Sequence, residues 1–434
     1  MPRLSPFTGL VFDAEVSGPL ESVTAPPYDV ISDHRRAEYL RASPFSVVHL
    51  DLAEGTDDPA HPKSRYSRAA DLLVDWEARG ALRRGEDPCY YAYEMSSGPS
   101  DEKSAEALSD PAQTRTVRGL ICAMRIEVMG GTVLAHEEVR EGPVQDRLEL
   151  LRATRTHLSP VYGMLDSDDG RLDAFVREIA SGPSPFELVD EQGVGHRMWP
   201  VSVAAAARAR LEGLEDERLL IADGHHRYTT ALRYQAERRS VDGPGPWDAV
   251  MTLVVGSTAE HLPVMPFHRV QLTGEAAPAE GEPSAGLAET LGALDDDDVT
   301  IGTISRGAGG DIEYRVRRLR GTPPTVSALH EELLDDLVPT DSLRYVADAT
   351  VAEAAVRQGE AVAVYLLPPT TPGRIRAVVE RGERLPPKST YFWPKPRTGM
   401  VMMPLDPAPV PQGSSHAAPV RAAGSAANRT DRAS

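Results

Sequence analysis

The stretch Ile221-Ala222-Asp223-Gly224-His225-His226-Arg227-Tyr228-Thr229-Thr230-Ala231-Leu232 decides how this chain is read. Leu219–Ala222 is an apolar run of β-type composition, and it stops at an acid and a glycine. From His226 to Arg239 apolar positions recur three and four apart, which predicts a helix. Gly224 permits a turn that a Cβ would hinder, and the amides after it sit at a helix N-terminus, where unpaired N–H groups attract an anion. Arg227 in the first turn is placed to clamp a phosphate or carboxylate bidentately. His225 and His226 can donate, accept or bind a metal, and Asp223 can orient a histidine, hold Mg²⁺ or act as a base. A plain helix cap would need the acid alone. The two histidines and the arginine exceed that need and mark a candidate phosphate-handling turn.

Outward from this turn, β-type runs alternate with helical patterns. Tyr90–Tyr93, Gly119–Val128, Val250–Val255, Ile312–Val316 and Ala361–Leu367 read as strands. Ser64–Arg79, Val144–Arg155, Arg171–Ala180, Val203–Leu214, Ser327–Leu337 and Thr350–Gln358 read as helices. The mixture predicts an α/β to α+β chain, with mixed sheets and helices. Ser96–Thr114 and Gly274–Asp298 read as loops or linkers, and Asp406–Ser434, rich in Pro, Ala and Ser, as a disordered tail. The expected organisation is an N-terminal lobe (1–115), a central lobe (116–275), a C-terminal lobe (276–405) and the tail (406–434).

Composition narrows the function classes. In 434 residues, Lys plus Arg number 46 against 65 Asp plus Glu, a net charge of −19, which disfavours general nucleic-acid binding. Two cysteines, Cys89 and Cys122, make neither a disulfide framework nor a cysteine zinc site. The start, MPRLSPFTGLVFDAE, lacks a signal-peptide core, and no run approaches the roughly 18 apolar residues of a membrane span. The expectation is a cytoplasmic protein with a small-molecule substrate and no membrane partner.

Four other clusters carry chemistry. His136-Glu137-Glu138-Val139-Arg140 offers an acid/base pair or two metal ligands at a strand end, but not the helical H-E-x-x-H zinc pattern, because position 140 is Arg. Leu385–Gly399 contains four prolines and three aromatics that stiffen a loop bearing Lys388, Ser389, Thr390 and Lys395, cations and hydroxyls suited to an anion pocket. Thr24–Val30 offers Tyr28 and Asp29, and Pro266-Phe267-His268-Arg269 adds His268 and Arg269 as further substrate contacts.

The segments "APPYDVI", "SPFSVVHL", "HEEV", "ADGHHRYTTAL", "PFHR" and "PPKSTYFWPKPRTG" follow the order of a bacterial and archaeal family, the domain of unknown function 1015, which the chain resembles from about Phe7 to Met402. Where that family commonly has Thr in its His-Glu motif, this chain has Val139, which removes one hydroxyl. Gly224-His225-His226-Arg227 also resembles the phosphate-binding turn of the ParB/sulfiredoxin-like superfamily, which includes partition proteins, sulfiredoxins and free-serine kinases. The sulfiredoxin cysteine is missing, whereas the Asp/Glu and His of the kinase branch are matched by Asp223, His225 and His226.

The combined expectation is a phosphotransferase, with free L-serine as substrate, Mg²⁺ as cofactor and ATP, ADP or pyrophosphate as donor. Glu137 or Asp223 would take the hydroxyl proton or hold the metal, and His136, His225 or His226 would assist. Gly224, Arg227, Lys388, Ser389, Thr390 and Lys395 would hold phosphate or substrate. No P-loop motif is present. Two alternatives stand beside this: a metal-dependent hydrolase using His136, His225, His226 and His268, and a ParB-like nucleotide-binding adaptor, which would need a basic helix-turn-helix where Trp247–Val264 reads as strand.

Overall fold

The computed structural model describes residues 4–97, 115–167, 169–203, 214, 217–256, 264–276, 280–307, 309–335, 338–339 and 342–406. Two large sheets with flanking helices, and two two-stranded ones, make the chain mixed α/β. The larger has nine strands, in the order Val133–Leu134, Leu219–Asp223, Val161–Leu165, Ala249–Val255, Arg115–Arg125, Cys89–Ser97, Val194–Ser202 and Phe186–Val189, with Leu4–Ser5 paired to Arg115–Arg125. Strands on both sides of residue 115 thus share this sheet. The smaller has six, in the order Glu282–Ser284, Ile312–Arg318, Thr300–Arg306, Ala363–Leu366, His268–Gln271 and Leu343–Val346.

The predicted strand-to-helix turn is present. Leu219–Asp223 leads through Gly224 into the helix His225–Asp242. This strand is buried because both faces are covered: Leu219, Leu220, Ile221 and Ala222 are all in the core. Its register against Val161–Leu165 slips between Ile221 and Asp223, and such a bulge re-aims the side chain that follows it. The helix is held at its sides rather than at its tip. Tyr228, Ala231 and Tyr234 are buried, and Thr230 donates to the Val144 carbonyl of the neighbouring helix Glu141–Thr154 at 3.2 Å.

Several expectations change. Gly274–Asp298 is no mere linker: Glu282–Ser284 is a strand and Leu287–Gly292 a short helix, whose apolar residues pack on the smaller sheet. The helix expected over Ser327–Leu337 begins as Thr325–Leu329 and continues as a π-helical turn, His330–Leu334. Ser96 and Ser97 complete the Cys89–Ser97 strand instead of opening a loop. Residues 98–114, 204–213 and 407–434, on which the remaining loop, the Val203–Leu214 helix and most of the tail fall, lie outside the described residues.

What brings distant segments together is the stretch from Leu385 to Pro404. After the helix Pro372–Glu380, Leu385 N–H donates to the His136 carbonyl at 2.7 Å. Tyr391 N–H donates to Met265 O at 2.7 Å, and Thr398 N–H to Ala25 O at 2.8 Å. Met402 N–H then donates to Leu10 O at 2.9 Å before Met403–Pro404 pairs with Thr156–His157. Each step is a backbone pairing with a different part of the chain, so this stretch laces the two sheets to the N-terminal segment. Phe392, Trp393, Met400, Val401 and Met402 are buried along it.

Candidate functional site

The helix His225–Asp242 starts at Gly224, which has φ 94 and ψ 28, a left-handed conformation natural to glycine. A Cβ there would also stand 3.0 Å from Arg227 Nε. The helices at Asp33, Arg65, Ala349 and Pro372 are capped by the side chains of Ser32, Ser64, Asp348 and Thr371, whereas this one has no side-chain cap and no acid in its first turn. Asp223 does not cap it. Its carboxylate is taken by two cations instead, Arg227 through Oδ2 and Lys395 through Oδ1. The first-turn amides therefore keep the partial positive charge that an anion would meet.

Tyr28, Asp29, Glu137, Asp223, Gly224, His225, His226, Arg227, Lys388, Thr390 and Lys395 line one cleft, closed on one side by Phe267. Lys388 Nζ donates to Asp29 Oδ2 at 3.0 Å and lies 5.4 Å from the Phe267 ring centre, and Lys395 Nζ lies 5.2 Å from that of Tyr391. Burial opposes the charge on Lys395, but Asp223 and Asp29 hold its ammonium above the ordinary lysine value. Burial likewise opposes charge on Asp29, yet Lys395, Lys388 and Arg227 hold its carboxyl below the usual range. Arg227 also donates to Ser159 Oγ at 3.2 Å and to the Pro160 carbonyl, so the Ser-Pro pair fixes its guanidinium.

Glu137 differs from Asp223. One oxygen, Oε1, accepts from the Lys388 backbone N–H, while Oε2 lies 3.9 Å from His225 Nδ1. Burial pushes its carboxyl above the usual value, with the Lys388 hydrogen bond and charge working the other way. A carboxylate with one anchored and one open oxygen, and a raised pKa, is a better proton acceptor than a free carboxylate. Lys388, which supplies that anchor, has φ 57, a left-handed conformation unusual for a side-chain-bearing residue. Its amide is held by Glu137 and its carbonyl accepts from Arg269 at 2.9 Å.

His136 and His225 are buried and His226 is half-buried, which disfavours charge on all three rings. Burial lowers His136 to about 4, and lowers His225, with the positive charges of its neighbours adding to the effect. His226 is also lowered, by burial and then by Lys388, and it accepts from Arg140 N–H at 3.1 Å. His136 Nε2 is 2.8 Å from Thr390 Oγ1, and His136 N–H donates to His225 Nε2 at 3.4 Å. His136, Glu137 and His225 each offer a ligand atom within 4.8 Å of the others. Of the two expected metal ligands this set includes Glu137 and not Asp223, both of whose oxygens are engaged by cations.

Four expected site residues stand elsewhere. His136 and Ser389 lie behind the cleft wall, the latter donating to the Pro386 carbonyl at 2.5 Å. His268 is buried in the smaller sheet, where its Nδ1 accepts from Leu367 N–H at 3.1 Å. Arg269, also buried, donates to Phe267 O at 2.6 Å and to Lys388 O, so it braces the loop from behind and does not reach the cleft. A four-histidine metal centre including His268 does not form. The strand Ala249–Val255 sits inside the large sheet, so among the described residues of Trp247–Val264 there is no helix-turn-helix. Sequence reading passed over Asp51, which borders the cleft's rear together with Ser159 of the Ser-Pro pair that follows the His-Glu cluster.

The sequence from residue 4 to 280 matches the profile of one family. The chain belongs to the family described as "Protein of unknown function (DUF1015)". No curated protein matches it. Among solved structures, this family member bears a distant likeness to a free serine kinase in complex with AMP, at 13% identity and TM-score 0.32, over 60% of this chain and 83% of that one. SbnI with a C-terminal truncation, from Staphylococcus aureus, is similar at 12% identity and TM-score 0.36, over 64% and 86%. A conserved hypothetical protein from Pyrococcus furiosus is similar at 13% and 0.31, over 62% and 92%.

Proposed function

We propose that the protein transfers a phosphoryl group from a phosphate donor to the hydroxyl of a small polar molecule, with free L-serine the first acceptor to test. One observation supports this above the others. The uncapped helix N-terminus, the cations Arg227, Lys388 and Lys395, and the half-free carboxylate of Glu137 share a single cleft. Phosphoryl transfer asks for that combination: charge stabilisation on the phosphoryl oxygens and a base for the incoming hydroxyl.

In the proposed reaction the first-turn amides of the helix, Arg227 and Lys388 bind the donor's terminal phosphate. Glu137 Oε2 takes the acceptor's proton as the acceptor oxygen forms its bond to phosphorus, and the bond to the leaving phosphate oxygen breaks with its electron pair. Asp223 is the weaker candidate for base, since both of its oxygens are occupied, and its role is to orient Arg227 and Lys395. Of the three grouped side chains only the Glu137 carboxylate suits Mg²⁺, a hard cation that takes oxygen ligands, so Glu137 is the residue that would hold it. Bound there, Mg²⁺ would neutralise charge on the transferring group. ATP, ADP and pyrophosphate are all candidate donors.

The test is to incubate the protein and Mg²⁺ with each donor and a pool of hydroxylated metabolites that includes L-serine, and to look for phosphorylated products by mass spectrometry. A donor-dependent phosphorylated acceptor is expected. Donor hydrolysis alone, or no product with any donor, would overturn the proposal.

A further inference from the structure

Behind Arg227 lies a second cavity, of about 50 Å³, bordered by Tyr28, Asp51, Arg147, Ser159, Arg227 and Thr230. That is space for groups of water or ammonium size. Asp51 ends the short helix Val48–Asp51 and is 6% exposed. Its Oδ1 accepts from Arg147 at 2.7 Å, whereas Oδ2 is buried with no hydrogen-bond partner. Arg147 does not serve Asp51 alone. It also donates to Asp146 through Nε at 2.8 Å, and its guanidinium stacks 4.3 Å from the Tyr28 ring centre. Two carboxylates thus draw on one buried guanidinium, and a buried carboxylate oxygen without a donor is a group most folds avoid.

We infer that this cavity is an ammonium-binding subsite, with Asp51 Oδ2 receiving a primary ammonium group of a small ligand. An ammonium brings three donors and no acceptor, which matches a carboxylate oxygen without a donor in a cavity also bordered by the hydroxyl-bearing Tyr28, Ser159 and Thr230. Tyr28 and Arg227 border both this cavity and the cleft, so a ligand anchored at Asp51 would present its other end beside Arg227. Asp51 would then be a specificity-determining residue for the acceptor; that last step rests on the phosphotransfer reading, while the ammonium site does not. Burial holds the Asp51 carboxyl above its usual value, with Arg147 opposing, and an incoming cation would relieve that penalty.

Direct binding tests the site without donor or metal. Isothermal titration of the full chain would use L-serine and ethanolamine against their amine-free counterparts, glycerate and ethylene glycol. The two amines should bind at least tenfold more tightly than the two amine-free compounds, and Asp51→Asn should abolish that preference. Because the comparison is first made on the unaltered protein, a poorly folding variant does not remove the test. Equal binding of amines and amine-free compounds, or binding of neither, would overturn the inference, the latter showing that the cavity holds only water. Phosphorylation of glycerate without amine preference would overturn the subsite and leave phosphotransfer standing. Amine binding with no transfer to any acceptor would support the subsite and count against phosphotransfer.

Discussion

Lys388 gives the sharpest handle on how the cleft is built. Its backbone is left-handed, φ 57, clamped between Glu137 and Arg269. A side chain in that conformation costs roughly 1–2 kcal/mol that glycine avoids. Alanine normally gains about 0.4–1 kcal/mol over glycine, because it restricts the unfolded chain. The difference leaves Lys388→Gly about 0.5–1 kcal/mol more stable than Lys388→Ala, the reverse of the usual order. Both variants lose the same side-chain contacts, the ion pair with Asp29 and the approach to Phe267, so these cancel in the comparison. The pair is about a quarter exposed on each side (24% and 26%), and such a pair contributes about 0–1 kcal/mol. Hence Lys388→Gly should fold about as stably as the natural chain. Urea denaturation of the three proteins at one pH, compared through their midpoints, makes the measurement. Alanine equal to or more stable than glycine would refute the left-handed clamp, and with it the placement of Glu137 against this loop.

Glu137→Gln should keep the fold and donor binding yet slow transfer by about 10²–10⁴-fold, read as kcat with donor affinity measured separately. Arg227→Lys should weaken donor binding by about 1–3 kcal/mol, since one ammonium cannot hold Asp223, Ser159, the Pro160 carbonyl and a phosphate together; titration calorimetry reads this. His136, His157 and His268 are each lowered by burial to about 4. Between about pH 6.5 and 4 the unfolded chain therefore takes up protons that the folded chain refuses, so stability falls as pH falls through that window. The loss at pH 5 is about 2 kcal/mol per histidine, opposed in part by Glu137 and Asp51, whose raised values favour the folded state on acidification. Denaturant midpoints at pH 7.5 and 5 check it; an unchanged midpoint would show these histidines to be exposed to water.

Local pattern carried much of the fold into view. Arg171–Ala180 spans the helix that its apolar spacing predicts, and the Leu219 strand turns into a helix where glycine stands. Short elements were harder to read. Glu282–Ser284 and Leu287–Gly292 owe their order to the sheet beside them, and their composition resembles a linker. His268 and Arg269 look like site residues because both are polar and follow a strand, but burial makes one a core hydrogen-bond acceptor and the other a brace. That Glu137, Arg227 and Lys388 would meet was an inference from chemistry, since their contact depends on backbone pairings between segments more than 200 positions apart, such as Leu385 with His136. Asp51 was not legible as a site residue, because only its missing partner distinguishes it from other acids.

The central claim is that one cleft binds a donor phosphate at the start of the His225–Asp242 helix with Glu137 facing it. A crystal structure of the protein soaked with Mg²⁺ and a non-hydrolysable ATP analogue tests this most directly. The account predicts the terminal phosphate on the first-turn amides and Lys388, with Glu137 Oε2 open toward it. A phosphate bound at another face, or a helix N-terminus that stays free of phosphate while the nucleotide is bound elsewhere, would contradict it.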